Sequence, residues 1–158
     1  MTYDRKLWEK CVAFHGHICP SLVHGFKVAQ IALKTLQIER VEDEDLIAIV
    51  ENDACGVDAV QVITGCTLGK GNLIFKDFGK QVYSFGNRLT GEAVRINVLP
   101  RPRTAEDESL QALRAKVFSG GANPEEKKEF SKKQSERVER LLSMADDEFC
   151  RIQRIDLN

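Results

Sequence analysis

Two histidines and a cysteine fall within five consecutive residues near the start of the chain, at His15, His17 and Cys19. Pro20 follows, and a residue that precedes a proline is pushed to extended geometry. In an extended segment the side chains of His17 and Cys19 point the same way, because alternate residues share one side of the backbone. Imidazole and thiolate are ligands that Zn²⁺ and related transition metals favour. The segment therefore predicts a metal or catalytic site, and the plainer alternative is a buried thiol beside satisfied loop histidines.

A second polar segment follows the apolar run Leu46–Val50, which we predict to be a buried strand. It contains Glu51, Asp53 and Cys55 and leads into a predicted helix. A thiol at a helix N-terminus is biased towards thiolate by the helix dipole and the free N–H groups. The two carboxylates are candidates for a general base or a ligand. A plain polar turn, in which Asp58 caps the helix, is the alternative.

A third segment, TGCTLGKGN at 64–72, combines glycines, hydroxyls and a lysine. Backbone N–H groups and an ammonium are typical of an anion-binding loop. The phosphate-binding P-loop is excluded, because its lysine is followed by Ser or Thr and Lys70 is followed by Gly71. A structural glycine turn is the alternative. The candidate ligand-binding residues of this segment are Gly69, Lys70, Gly71 and Asn72.

The predicted helix 57–65 limits how these segments combine. Its nine residues span about 13 Å at 1.5 Å per residue, so Cys55 and Cys66 flank opposite ends. One ion is therefore expected to take His17, Cys19 and one of the two thiols, with Cys55 favoured. Cys66 then lines the pocket, supplies a ligand across a dimer, or shows that the helix is misplaced. Three protein ligands with an open position are typical of catalytic zinc sites.

The composition excludes several classes of protein. The chain has 158 residues, 42% of them hydrophobic, and a formal net charge of -1. No global basic field is present, which argues against nucleic acid as the main partner. No run of eighteen apolar residues could span a membrane, and the first residues contain no signal-peptide core. Five cysteines, an odd number, favour metal or thiol chemistry over a disulfide framework. We therefore expect a cytoplasmic protein with no membrane partner.

The periodicity of apolar residues predicts an α+β fold, with a mixed, largely antiparallel sheet covered by helices. We expect a core domain over 1–100 and a charged helical extension over 101–158, since the latter holds half of the charged side chains. Asn123 is the expected N-cap of the last helix. The predicted elements are helix 4–13, a helix from Pro20, strand 46–50, helix 57–65, strands from Leu73, Lys80 and Glu92, helix 105–118, and a helix from Pro124 to about Arg154.

The last predicted helix carries an apolar stripe of Val138, Leu142, Ala145, Phe149 and Ile152. Such a stripe needs a cover, either the chain's own core or a second copy, and we favour a homodimer. The thiols outside the polar segments, Cys11 and Cys150, are expected to pack in the interior. His24, one turn into the second helix, is expected to be a surface or capping residue.

The segments FHGHICPSLVHG, ENDACGVDAVQVITGCTLGKGNLIF, DFGKQVYSF and GEAVRI resemble the FmdE family, which is named for a component of molybdenum formylmethanofuran dehydrogenase. The resemblance covers about residues 8–98. It implies an α+β core like the catalytic domain of glyceraldehyde-3-phosphate dehydrogenase, and a bound metal, commonly zinc, at the Cys/His motif. Where members often read C-P-G, this chain has Ser21. It also lacks the cysteine-rich zinc-ribbon domain in which many members end.

The resemblance also implies which residues form the site. The motif residues, as metal ligands, are His17, Cys19, Cys55 and Cys66. The residues around them are His15, Asp53, Asp58, Gln61, Lys70 and Asn72. Of these we assign a catalytic role to Asp53 and His15, together with Glu51, and a ligand-binding role to Asp58, Gln61, Lys70 and Asn72.

Three functions follow as hypotheses. The first is a cytosolic protein that binds zinc or another divalent transition metal, with a small anionic ligand and a link to one-carbon or molybdoenzyme metabolism. In that case the metal polarises a carbonyl or activates water, and Lys70 holds negative charge. The second is an accessory subunit or metal carrier that docks on a molybdoenzyme through its C-terminal helix. The third is a thiol enzyme with Cys55 as the nucleophile and His17 as its base.

Overall fold

The computed structural model describes residues 3–157, which form a five-stranded sheet with helices. The strand order is β2-β1-β3-β4-β5; β1 and β2 are parallel and the other neighbours are antiparallel. The α+β class with a mixed, largely antiparallel sheet is thereby confirmed. The elements are α1 (Arg5–His15), α2 (Pro20–Leu36), β1 (Leu46–Val50), α3 (Gly56–Thr64), β2 (Leu73–Phe75), β3 (Val82–Asn87), β4 (Glu92–Val98), α4 (Ala105–Phe118), α5 (Pro124–Leu142), α6 (Asp146–Phe149) and β5 (Cys150–Asp156).

Local sequence signals set most of the helix ends. The Asp4 side chain accepts a hydrogen bond from the Leu7 N–H at the start of α1. Gly16 ends the same helix with a φ of 97°, a left-handed conformation that glycine adopts at little cost. Asn123 caps α5 as predicted, and Glu126 completes the capping box by accepting from the Asn123 N–H. The chain therefore turns at the places where the sequence predicts.

The core lies between the sheet and the helices α2 and α3. Alternate residues of the central strands are buried towards these helices, among them Ala48, Phe85 and Val94. They pack with fully buried residues of α2, such as Leu22 and Phe26. Because α2 and α3 lie over the same face of the sheet, the N-terminus of α3 follows directly from the end of β1. This arrangement places the polar segment 51–55 at the edge of the core.

The C-terminal segment departs from the sequence prediction. We predicted one helix to about Arg154, but α5 ends at Leu142, and β5 pairs with β4 along its whole length. The buried Lys27 side chain donates to the carbonyls of Leu142 and Met144, so it takes up acceptors that a continuing helix would need. Pairing on the free edge of β4 then satisfies the backbone beyond residue 149. A wholly helical C-terminal extension is therefore wrong.

The apolar stripe of the predicted helix does not need a partner to cover it. Val138, Leu142 and Phe149 are each at most 3% exposed, because α5 and the segment after it pack on α2. Ile152, at 45% exposure, lies on β5 and no longer belongs to a helical stripe. The homodimer stays a prediction, since its sequence argument rested on that stripe. Among residues 3–157, no helix combines the length and apolar character needed to cross a bilayer.

His24 lies in the interior rather than at the surface as predicted. Its ring stacks edge-on against Phe149, and its Nδ1 is 3.3 Å from the Gln81 side-chain oxygen. Burial lowers the pKa of His24 to about 4, and the nearby positive charge of Arg101 adds to the effect, although the hydrogen bond to Gln81 opposes it. The imidazole is therefore neutral in the folded protein at neutral pH.

This burial predicts a pH dependence of stability. Between about pH 6.5 and pH 4 the unfolded chain holds a proton on His24 that the folded chain does not, so stability falls as pH falls through this window. We expect His24→Gln to flatten that dependence. The drop in the free energy of unfolding between about pH 7.5 and about pH 4.5 should shrink by about 2 kcal/mol. Urea unfolding at both pH values measures it, and equal drops in the two proteins would contradict the prediction.

Candidate metal centre

Four side chains meet where the N-termini of α2 and α3 converge. One ligand atom each from His15, His17, Cys19 and Cys55 lies within 4.8 Å of all the others. His15 is the last residue of α1, Cys19 is the N-cap of α2, and Cys55 is the N-cap of α3. Two imidazoles and two thiols are a donor set for a four-coordinate transition metal. The group can therefore hold a metal ion.

The convergence depends on two glycines at which the helices cross. Gly25 of α2 lies against the backbone of Gly56 at the start of α3, and a Cβ at Gly25 would overlap the Gly56 carbonyl oxygen. Both residues are buried. Small residues at a crossing let two helix backbones approach each other closely. The approach brings Cys55 towards Cys19, which lies six residues before Gly25.

Asp58 fixes the orientation of the His15 ring. Its carboxylate oxygen lies 2.7 Å from His15 Nδ1, and Gln61 is within 3.5 Å of the other oxygen. With Nδ1 engaged, Nε2 of His15 points to the thiols and lies 4.0 Å from Cys19 Sγ. A carboxylate that accepts from one ring nitrogen commonly orients the other nitrogen towards a metal. Asp58 and Gln61 thus act on the site through His15 rather than by capping α3.

The Cys19 thiol is bound into the start of its helix. Its sulfur accepts a hydrogen bond from the Leu22 N–H at 3.4 Å. Burial raises the pKa of Cys19 to about 11, and negative charge on Cys55 would raise it further, although the Leu22 N–H opposes both effects. The thiol therefore keeps its proton at neutral pH unless a cation displaces it. Metal binding should release protons and strengthen as the pH rises.

His17 is the exposed member of the group. Its ring is tilted against that of His15, with the centroids 4.3 Å apart. Partial desolvation lowers the pKa of His17, and positive charge on His15 and Arg114 lowers it further. A lowered pKa keeps the imidazole neutral, which is the form that binds a metal. Arg114 belongs to α4, so the charged C-terminal segment contributes to the surroundings of the site.

Cys66 does not join the group. It follows Gly65, the residue that ends α3, and its thiol donates to the Leu46 carbonyl at 3.4 Å. Burial raises the pKa of Cys66, as expected for a packed thiol. The assignment of Cys66 as a metal ligand is therefore corrected, because α3 separates it from Cys55 as the helix length predicts.

The glycine-rich segment is a structural turn. The Lys70 ammonium donates to the carbonyl of Glu42 at 2.9 Å, and the buried Asn72 side chain donates to Leu46 and accepts from the Thr67 N–H. These polar groups are occupied within the protein. The ligand-binding role predicted for Lys70 and Asn72, and for their neighbours Gly69 and Gly71, is therefore not supported by the position of the loop.

The two candidate bases are also placed apart from the group. The Glu51 carboxylate is buried and forms an ion pair with Arg95 of β4. Asp53 is exposed in the loop before α3. Neither carboxylate belongs to the set of ligand atoms that meet within 4.8 Å. His15, predicted to be catalytic, is instead a candidate ligand.

Sequence reasoning missed the residues beneath Cys55. The Tyr83 hydroxyl lies next to Gly56 and donates to the Gln81 side-chain oxygen at 2.9 Å. The same oxygen faces His24 Nδ1. Burial raises the pKa of Tyr83 to about 12. No local pattern marks this network, because β3 brings Gln81 and Tyr83 to α2 and α3 only in the folded chain. Gly25 did have a signal, since an isolated glycine inside a helical pattern often has a packing reason.

The contact between Asp58 and His15 can be tested by its effect on metal affinity. We expect Asp58→Ala to weaken binding of Zn²⁺ by about ten- to a hundredfold, because the His15 ring loses the acceptor that holds its orientation. Competition with a chromophoric chelator gives the dissociation constant. Asp53→Ala, which removes an exposed carboxylate of the neighbouring loop, is the matched control and should leave affinity unchanged. Equal losses in both variants would rule out the orienting role.

The fold and the site define a class of protein, an α+β domain with a Cys/His centre at converging helix N-termini. The model of the family described as FmdE, Molybdenum formylmethanofuran dehydrogenase operon, matches residues 14–151. The chain belongs to the FmdE family.

Two relatives support this assignment. A crystal structure of a tungsten formylmethanofuran dehydrogenase FmdE-like protein from Syntrophus aciditrophicus is 28% identical, with a TM-score of 0.61. The match covers 97% of this chain and 72% of that one. A probable S-adenosyl-L-methionine-binding protein from Archaeoglobus fulgidus is 34% identical over 152 residues. The alignment covers 91% of this chain and 41% of that relative, so the chain spans less than half of the relative's length.

Proposed function

We propose that this chain binds a divalent transition metal, zinc in the first place, through His15, His17, Cys19 and Cys55. The donor set supports zinc. Tetrahedral Zn²⁺, with bonds of about 2.3 Å to sulfur and about 2.0 Å to nitrogen, places the two atoms about 3.5 Å apart. Nε2 of His15 and Sγ of Cys19 are 4.0 Å apart, so a small rotation brings them to that distance. The single observation that carries the proposal is the convergence of all four ligand atoms within 4.8 Å.

The chemistry proposed for the bound metal is Lewis-acid polarisation of a small ligand. His17 is exposed, so it is the ligand that a small molecule from solvent can most easily replace. Arg114 carries positive charge close to His17, which favours a small anion over a cation. We therefore propose a small anionic ligand and keep the link to one-carbon or molybdoenzyme metabolism, which the description of the family supports.

Metal analysis of protein purified without added metal tests the first step. We expect about one transition-metal ion per chain. Replacement by Co²⁺ then reports the site, because thiolate ligands give intense charge-transfer absorption and tetrahedral geometry gives strong visible bands. Formate is a suitable probe of an exchangeable position, and its addition should shift those bands. A metal content below about a tenth of an ion per chain would refute the proposal.

The role of accessory subunit or metal carrier is supported by the family description, which names a dehydrogenase operon. Docking through α5 would use its exposed, highly charged surface, since its apolar residues are buried against the core. Co-purification from cells compares the chain with a variant in which exposed α5 lysines, Lys128 and Lys132, are replaced by glutamate. Loss of a partner with the metal retained would favour docking. Light scattering of the purified chain tests the predicted homodimer.

A further inference from the structure

We propose that Cys19 and Cys55 form a disulfide when the metal is absent and a peroxide is present, which makes the centre sensitive to oxidation. The regulatory consequence rests on the proposed function, because it requires that the two thiols also hold the metal. The pairing of the thiols rests on their geometry alone. The two parts are therefore separable by experiment.

The geometry favours this pair. The two sulfurs lie within 4.8 Å of each other, and both cysteines are free thiols. A disulfide needs sulfurs about 2.05 Å apart, so the sulfurs must move by less than about 3 Å. Rotation about χ1 moves a sulfur by distances of this order without moving the backbone. The crossing of α2 and α3 at Gly25 and Gly56 keeps the two helix N-termini together during that rotation.

The two thiols differ in access. Cys55 is half-buried, and no side-chain cap hydrogen bond engages its sulfur at the start of α3. Cys19 is 9% exposed and its sulfur is bound to the Leu22 N–H. An oxidant from solvent therefore reaches Cys55 first. Cys66 and Cys150, in contrast, are buried and donate to backbone carbonyls.

The reaction balances with hydrogen peroxide as the oxidant. The Cys55 thiolate attacks one peroxide oxygen, the O–O bond breaks, and the leaving hydroxide takes the proton released by Cys55 to form water. The resulting Cys55 sulfenic acid is attacked by the Cys19 sulfur, and its hydroxyl leaves with the Cys19 proton as a second water. Two thiols are oxidised and one peroxide is reduced. A dithiol reverses the step by thiol–disulfide exchange.

Bound metal should oppose this oxidation. When both sulfurs are bonded to the metal, their lone pairs are engaged and a peroxide finds no free thiolate. Conversely, a disulfide removes two of the four ligands. Oxidation and metal binding are therefore mutually exclusive states of the same pair of sulfurs.

Mass spectrometry of the full chain tests the pairing. The protein is stripped of metal with a chelator under anaerobic conditions, and one equivalent of hydrogen peroxide is added. We expect the intact mass to fall by two hydrogen atoms and a proteolytic digest to contain a linked peptide with Cys19 and Cys55. A dithiol should restore both. Cys66→Ser is the matched control and should oxidise in the same way, whereas Cys19→Ser should stop at the sulfenic or a higher acid on Cys55.

Oxidation of Cys55 to sulfinic acid in the wild-type chain, or a linked peptide that contains Cys66, would overturn the pairing. Prior addition of one equivalent of Zn²⁺ tests the regulation, and we expect it to slow disulfide formation at least about tenfold. An unchanged rate would overturn the regulation while leaving the pairing intact. A disulfide that forms in a chain without affinity for Zn²⁺ would count against the proposed function alone.

Discussion

Replacing Cys55 by alanine is expected to weaken binding of Zn²⁺ by about a hundredfold. Structural zinc sites bind with about 10–16 kcal/mol, so one of four ligands accounts for about 3 kcal/mol, and each 1.4 kcal/mol changes affinity tenfold. Cys55 is the ligand most exposed to this loss, because no cap hydrogen bond ties its side chain to α3. Fluorescent chelator competition at a fixed pH measures the change.

Cys66→Ala is the matched control for this substitution. It removes a buried thiol eleven residues further along the chain, at the other end of α3, and its hydrogen bond to Leu46 lies away from the four ligands. We expect it to reduce stability while leaving the affinity for Zn²⁺ unchanged. If Cys66→Ala weakens binding as much as Cys55→Ala does, the proposed set of four ligands is wrong.

Gly25→Ala should disrupt both the fold and the site. The added methyl group overlaps the Gly56 carbonyl, which belongs to the backbone and cannot rotate away, so α2 and α3 must separate. Overpacking of a core costs about 1–3 kcal/mol and more where backbone must move. The higher helix propensity of alanine offsets about 1 kcal/mol of that cost. We expect a net loss of at least about 2 kcal/mol in the free energy of unfolding.

The same change should weaken metal binding, because Cys19 and Cys55 move apart with their helices. Denaturant unfolding and Zn²⁺ titration of the same preparation measure the two effects. Gly69→Ala is the control, since a Cβ at Gly69 meets no atom within 4 Å. It should change stability by less than about 0.5 kcal/mol. A Gly25→Ala protein that unfolds and binds Zn²⁺ like the Gly69→Ala control would show that the crossing does not set the geometry of the site.

Much of the fold could be predicted from short-range patterns. β1 begins and ends where the apolar run Leu46–Val50 does, and β4 coincides with the predicted strand 92–98. The ends of α3 and α5 follow from Gly65 and Asn123, whose preferences act within one turn of the chain. These features depend on alternation and capping, which a sequence records directly.

The end of the chain could not be predicted in this way. Residues 150–156 become β5 because β4 offers a free edge and because Lys27 takes up the carbonyls at the end of α5. Both partners lie far away in the sequence. A helical pattern of apolar residues gives no information about such an edge.

For the site, the sequence by itself determined the ligand types and most of the ligands. The spacing of His17 and Cys19, and the length of α3, which favours Cys55 over Cys66, follow from backbone geometry within short segments. Only the tertiary structure decided that His15 joins them, that Asp58 orients it, and that the loop of Lys70 serves the fold. The physical reason is that these contacts depend on how closely α2 and α3 approach at Gly25 and Gly56, a distance that packing sets and local sequence does not.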